Sequence, residues 1–504
     1  MNSLFLRSDM NSFNLSIEEI QEFYLKKSFL NKLYYYYVNN GYYNIISSEI
    51  VNIFTSSFLI FYTIFLYNCI DWHTLFTMKE ETHLNELVDI TKFFKLNVFY
   101  WILFIIFVLI VFCKILNLIN SIHEYKSIKL FLNDKLSITD KELSIIKWNE
   151  IIEKMQKKYN NNDINIYYIN NKISCKSNYL ITLIDKDVLK LTYMNQIMEW
   201  NLIFCILNSI FDNDMKFNKK FLELDKEFIE IIKQKLIFIT ILNFIFMPFI
   251  ITYLFFYYLF KYGEKFYSNP QSFVSRNWTL IAKWKFRNYN ELYHEFRDKF
   301  IKSQKPSDAY SLLFPNKIIQ TFSRFFIFVL SSLFVILVFI SIINEHILIQ
   351  LYITSNKQAL WFIGIFGSSI AILKNVNKEK ETDYPKERMK KLKQIINCIP
   401  EKWTDEDIEK DFINKEFFNL YQLQIVIILK DIFYTLRIPF KLFKLSFNIK
   451  NIIIYLQSIT INNPTYGHIN KFSLFDNLEI ETNDTIDKKT LYSIQTFQKN
   501  NGII

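Results

Sequence analysis

Four stretches of this chain are apolar over nearly the length of a bilayer, at about 46 to 70, 97 to 119, 322 to 345 and 356 to 374. A helix needs roughly 20 such residues to cross the hydrocarbon. With 52 Phe and 31 Tyr, the chain also holds more apolar surface than a soluble core of this size requires. A fifth run, Leu236 to Phe260, is long enough to span but carries Asn243 and Pro248 in its middle. Proline there removes a backbone hydrogen bond and kinks a helix.

Flanking charge decides how the fifth run is read, because Lys and Arg accumulate on the cytoplasmic side. Residues 71 to 96 carry three Lys against five acids, and residues 347 to 354 carry no charge, so both are lumenal candidates. Residues 120 to 235 and 261 to 317 are both rich in Lys and Arg. A full crossing by 236 to 260 would put one of those basic stretches in the lumen, whereas a re-entrant hairpin turning near Asn243 to Pro248 puts neither there. The predicted fold is therefore an all-α integral membrane protein with four transmembrane helices, a re-entrant hairpin, interfacial helices and helical cytosolic regions. Both termini are expected in the cytosol.

The expected organisation is a cytosolic segment over 1–45, two spans with a lumenal loop over 46–119, and a cytosolic helical region over 120–235. The hairpin and the helix after it follow over 236–320, then two more spans over 321–376. A cytosolic and interfacial helical region covers 377–480, and a loosely ordered polar tail covers 481–504. Within 417 to 446, Lys430, Asp431, Arg437 and Pro439 interrupt an apolar stretch; it reads equally as shallowly inserted interfacial helices or as a buried helix pair. The N-terminus has no basic stretch followed by a short apolar core, so no cleavable signal peptide is expected.

Several chemistries find no residues to carry them. Six Gly (41, 263, 364, 367, 467 and 502) can write neither a phosphate-binding loop nor a dinucleotide fingerprint. Five scattered Cys and six scattered His give no metal-ligand spacing, and no nucleophile elbow is present. No cofactor, metal or covalent mechanism is indicated. Gly364 and Gly367, followed by Ser368 and Ser369, are small residues that allow close helix approach in the last span.

The most informative stretch is Trp278 to Phe296, WTLIAKWKFRNYNELYHEF, which sets Lys283, Lys285, Arg287, Asn288, Asn290, Glu291, His294 and Glu295 among aromatic residues. As a basic and aromatic groove it would suit nucleic acid, but a chain with four spans makes that a poor fit and no nucleic-acid partner is expected. Otherwise it is an interfacial helix with snorkelling side chains.

Arg287 to Phe296, RNYNELYHEF, resembles the Arg-x-x-Asn-Glu-Leu-x-His-Glu signature of the autophagy-related protein 9 family, here Arg287, Asn290, Glu291, Leu292, His294 and Glu295. Its surroundings are similar in order: Asn40-Gly41, CIDW at Cys69 to Trp72, IHEYKSI after the second span, Arg276 and Trp278 upstream, then KPSDAYSLLFP, IPEKW, the segment around Tyr421 and Pro439, and YGHINKFSLFD with Gly467. The resemblance extends over roughly residues 30 to 480. It implies a domain-swapped homotrimer of four-span protomers, with further helices entering the cytosolic leaflet, and an energy-independent phospholipid scramblase rather than an enzyme. It also implies Golgi- or endosome-derived vesicles and phagophore membranes as the location, and lipid-transfer and autophagy-initiation proteins as partners.

Two departures stand out. A tract that is charged in some family members is here Tyr267, Ser268 and Asn269, and a typically acidic pair is Lys430-Asp431. The long tails common in the family are nearly absent. Moving a head group across hydrocarbon is slow because burying a charge is costly, so a scramblase needs a polar path. Asn243, Glu264, Lys283, Arg287, Asn290, Glu291, His294, Glu295 and Lys374 are the candidates for that path, with Arg and Lys holding phosphates. On this basis, replacing Arg287 and Glu291 with Ala slows lipid exchange and leaves folding intact. The alternatives are a non-catalytic membrane scaffold that recruits partners, and a channel or secondary transporter. The latter would need ionisable residues inside the spans, which are almost uncharged apart from residues near their ends such as Lys114 and Arg324.

Overall fold

The computed structural model describes residues 27–77, 87–89, 91–92, 98–159, 165–212, 216–268, 275–314, 317–343, 347–354, 357–376, 385–403, 410–464, 467–475 and 487–501. Much of the expected lumenal loop 71–96, and Asn269 of the tract that departs from the family, lie outside the described residues. The elements begin with α1 (Lys27–Val38), α2 (Tyr42–Asn68), α3 (Trp72–Thr77), α4 (Val98–Leu130), α5 (Trp148–Tyr159), α6 (Ile166–Asp185) and α7 (Gln196–Leu202). They continue with α8 (Lys226–Ser268), β1 (Arg276–Trp278), α9 (Leu280–Lys285), α10 (Tyr293–Leu312), α11 (Lys317–Ile343) and α12 (Ala359–Val376). Last come α13 (Pro385–Ile395), α14 (Lys410–Leu420), a strand at Tyr421–Leu423 that pairs antiparallel with β1, α15 (Gln424–Thr435), α16 (Ile438–Ser458) and α17 (Lys488–Asn500).

Among the described residues, four helices are long and apolar enough to cross a membrane: Tyr42–Leu66, Phe107–Lys135, Lys226–Gly263 and Lys317–Ile343. Ala359–Lys374 is a shorter apolar helix. Gly367 in α12 faces Phe334 of α11, where a Cβ would come to 3.5 Å from the ring, an ordinary contact, and Gly364 has open space beside it, so neither position requires glycine for packing within this protomer.

The turn expected at Asn243 to Pro248 is absent. Lys226–Ser268 is one 43-residue helix with Pro248 inside it. Packing explains why the helix survives. A proline inside a helix costs about 3 kcal/mol, while each large apolar side chain fully buried contributes about 1.5–3 kcal/mol, and α8 buries Phe228, Ile232, Leu236 and Ile239 in an apolar cluster. Residues 277–283 line the same cavity as residues 257–262, so β1 and α9 lie back beside the end of α8.

Three apolar clusters hold the helices outside the spans. The first joins α6, α7, the start of α8, α16 and α17. The second joins α1, the end of α4, α5 and Leu292. In the third, the Trp278 ring packs on Phe286, Phe300, Phe417 and Tyr421, with the Tyr421 centroid 4.9 Å away.

Helix α16, which covers the end of the stretch 417–446, buries one face and leaves the other exposed. Ile438, Leu442, Leu445, Ile449, Ile452 and Leu456, spaced three and four apart, are buried against the core. On the opposite side Phe440, Phe443, Phe447 and Ile454 are exposed. The tail also differs from expectation. Residues 488–500 form a docked helix whose Lys489, Thr490, Ser493, Ile494, Phe497 and Gln498 are buried.

Because α8 runs unbroken through Pro248, Pro248→Ala should leave the melting temperature in detergent unchanged or raised. A clear drop would indicate a turn at that position.

Candidate functional site

Two structures meet where the chain returns from α8: a buried polar turn built from the signature, and a polar cavity beside it. In the turn, Asn290 adopts φ 57°, the left-handed region that Asn tolerates better than most residues. Its side chain satisfies three partners: Oδ1 accepts from Asn171 at 3.1 Å and from Asn178 at 2.8 Å, and Nδ2 donates to the Ser473 carbonyl at 2.9 Å. Its own N–H donates to Asn178 Oδ1 at 2.9 Å.

Glu291 is 6% exposed and pairs with Lys299 at 2.7 Å, while also accepting from the Asn288 N–H at 2.9 Å. Lys299 donates in addition to the Phe286 carbonyl at 2.9 Å. Arg287, 7% exposed, donates to the Glu291 carbonyl at 3.1 Å, and its guanidinium lies between the rings of Trp284 and Phe296 at 5.0 and 4.9 Å. Burial pushes its pKa down.

His294 meets Tyr34 of α1, with Nδ1 2.9 Å from the hydroxyl and its backbone N–H donating to the same oxygen at 3.1 Å. Glu295 accepts from the Leu292 N–H at 3.3 Å and from Asn500 of α17 at 3.1 Å. Burial first, and the neighbouring Glu291 second, raise its pKa to about 7. Helix α17 reaches the turn again through Ser493 Oγ, which accepts from the Tyr289 N–H at 3.0 Å.

The cavity has a volume of about 260 Å³ and is walled by α8 (Tyr257, Tyr258, Lys261, Tyr262), by β1 and α9 (Asn277, Trp278, Leu280, Lys283), by Tyr193 and Asn195 before α7, and by Gln424 and Asp431 of α15. Asp431 accepts from the Tyr193 hydroxyl at 2.7 Å and from the Tyr258 hydroxyl at 2.8 Å. Burial lifts its pKa, and these two hydrogen bonds oppose the rise. Lys283 is half-buried, and burial lowers its pKa. The cavity lies beside the membrane helices: Phe260 of α8 packs on Tyr62 of α2 at 5.4 Å between ring centroids.

The sequence-derived candidates thus fall into separate places. Among the described residues, Lys283 of the path candidates and Trp278 of the signature line the cavity. Arg287, Asn290, Glu291, His294 and Glu295 build the turn, where Arg287, Asn290 and Glu291 are buried among protein partners, so substitution of Arg287 and Glu291 cannot be neutral for folding as expected from sequence. Arg276 and Trp278 fix β1: the Arg276 guanidinium stacks on Phe418 at 4.6 Å, and Trp278 Nε1 donates to Ser303 at 3.1 Å. Asn243 is held between helices, donating to Ile239 O at 2.9 Å and to Asn201 Oδ1 at 3.3 Å. Lys374 is exposed in the last turn of α12. The Glu264 side chain lies outside the described residues. Sequence reasoning missed Tyr193 and Tyr258, and it noted Asp431 as a carboxylate inside an apolar stretch without placing it on the path.

Spanning helices joined to a helical body, with a polar cavity beside them, define a polytopic α-helical membrane protein. Residues 21–476 match the family model described as Autophagy protein ATG9, and the chain belongs to that family. It is similar to Autophagy-related protein 9 of Kluyveromyces lactis, 29% identical over 491 residues, covering 92% of this chain and 54% of that protein. It is also similar to Autophagy-related protein 9 of Saccharomyces cerevisiae, 28% identical over 490 residues, covering 91% and 48%. The chain spans about half the length of these curated relatives. Its fold is similar to the cryo-EM structure of Schizosaccharomyces pombe Atg9, with a TM-score of 0.67 at 24% identity, covering 89% of this chain and 98% of that one.

Removing one partner of a buried ion pair costs about 3–5 kcal/mol, so Glu291→Ala should lose most folded, monodisperse protein on gel filtration, with retention at wild-type levels contradicting a structural role. Glu295 gives a pH signature. An unfolded Glu titrates near 4.5 and the folded one near 7, so the folded state holds the extra proton between those values. Its contribution to stability is complete below pH 4.5 and is lost as pH rises through about 7. Melting temperatures between pH 5 and 8 should fall in wild type and fall less in Glu295→Gln.

Proposed function

We propose that this autophagy protein moves phospholipids between leaflets without an energy source, and that it does so in autophagosome formation. The observation that carries this is the cavity: charged and tyrosine side chains gather around an open space beside helices with apolar outer faces. A head group in such a space exchanges water for protein dipoles while its acyl chains stay in lipid, which lowers the barrier that hydrocarbon imposes. No covalent step is needed. The stripe of Phe440, Phe443 and Phe447 supports seating of α16 in the cytosolic leaflet. The exposed faces of α11, with Phe322, Phe325, Phe328 and Phe339, are to be covered by lipid and by neighbouring protomers of the homotrimer that the family resemblance implies.

The test is dithionite quenching of fluorescent lipid in proteoliposomes, without nucleotide, calcium or an ion gradient. Quenching well beyond half of the signal is the expected outcome. A plateau at half, in vesicles shown to contain folded protein, would reject scrambling and favour a membrane scaffold that recruits partners.

A further inference from the structure

The exposed face of α16 carries charge of one sign. From Ile432 to Phe475 the chain has no Asp or Glu, yet it has Arg437, Lys441, Lys444, Lys450 and Lys471. At 3.6 residues per turn, Phe440, Phe443, Phe447 and Ile454 run down the middle of the exposed face, with Arg437, Lys441 and Lys444 along one edge and Lys450 along the other. Among the described residues, none of these four cations forms an ion pair. The carboxylates at the start of α8, which packs along α16, are already taken: Glu227 pairs with Lys220 at 3.2 Å and Glu230 with Lys233 at 3.4 Å.

The surroundings say what covers this face. The buried side of α16 shares an apolar cluster with Phe228, Ile232, Leu236 and Ile239 of α8. Along α8, exposed Phe238, Ile241, Phe244 and Ile245 follow at once, within a helix long and apolar enough to span. The Phe row of α16 therefore lies beside the point where α8 becomes apolar on its outside. An apolar row edged by cations suits a helix at the boundary between acyl chains and head groups, where each Lys or Arg attracts anionic lipid. An acidic protein segment would match the cations, but not a Phe row set at the level of the hydrocarbon.

We propose that the exposed face of α16 recruits anionic phospholipid in preference to zwitterionic lipid, with the head groups on Arg437, Lys444 and Lys450 and the Phe side chains among the acyl chains. This rests on the seating of α16 in a leaflet and adds the class of lipid that it selects; no cavity residue takes part.

The test is photo-crosslinking of the purified full chain in phosphatidylcholine nanodiscs. Photoactivatable phosphatidylserine or photoactivatable phosphatidylcholine is doped in at the same low fraction, and adducts are mapped by mass spectrometry. One cation near a membrane surface gives about a fivefold preference for anionic lipid. At low salt, phosphatidylserine adducts on residues 436–454 should therefore exceed phosphatidylcholine adducts at least about fivefold, while Phe328 to Phe339 of α11, which carry no charge, should give equal yields. High salt should bring the α16 ratio near one, and so should the triple variant R437Q/K444Q/K450Q, whose three sites are exposed and leave the buried face intact. Equal yields on α16 in the wild type, or a ratio that the triple variant leaves unchanged, would overturn the proposal. Loss of the lipid adducts on adding a soluble polyglutamate peptide would overturn it in favour of an acidic protein partner. Scrambling with equal adducts would reject the preference alone, and a preference in a protein that does not scramble would keep it and reject the activity.

Discussion

A carboxylate and an ammonium 2.7 Å apart, both nearly removed from solvent, hold the point where the three apolar clusters of this protein meet. Burying two charges is expensive, and the attraction between Glu291 and Lys299 offsets it only because further hydrogen bonds complete both groups. The Asn288 N–H and the Phe286 carbonyl supply those bonds. The turn from Phe286 to Leu292 is thereby fixed, with Leu292 in one cluster, Tyr289 in another and Phe286 in the third. Asn290, His294 and Glu295 then tie it to α6, α1 and α17.

That rigidity has a functional consequence one helix away. Helix α9 is only six residues long and too short to be stable alone, yet it carries Lys283 into the cavity wall. It is anchored at one end by Thr279, whose hydroxyl caps it, and at the other by Lys489 of α17, which donates to the Lys285 carbonyl at 2.9 Å. Trp284 Nε1 donates to Glu199 at 3.1 Å and fixes the side facing α7. The backbone that carries Lys283 is thereby fixed at both ends and on one side.

The membrane character and the signature were legible in the sequence, because apolar length and a run of unusual polar residues are local signals. What the signature does was not legible. Arg287, Asn290 and Glu291 read as path residues because they are charged or polar near apolar runs, and only tertiary contacts reveal that their partners are Asn171, Asn178, Lys299 and Ser473. Pro248 misled for a related reason: its local cost is outweighed by packing that a sequence does not display. The polar composition of 488–500 likewise hid a helix whose buried Ser493 and Lys489 bond to the turn and to α9. The cavity draws on residues from 193 to 431 and has no local pattern at all.

Head-group placement is read most directly from a cryo-EM map of the protein in nanodiscs of phosphatidylcholine. Density for a phospholipid head group should occupy the cavity walled by α8, α9 and α15. A cavity holding only water would contradict the proposed role.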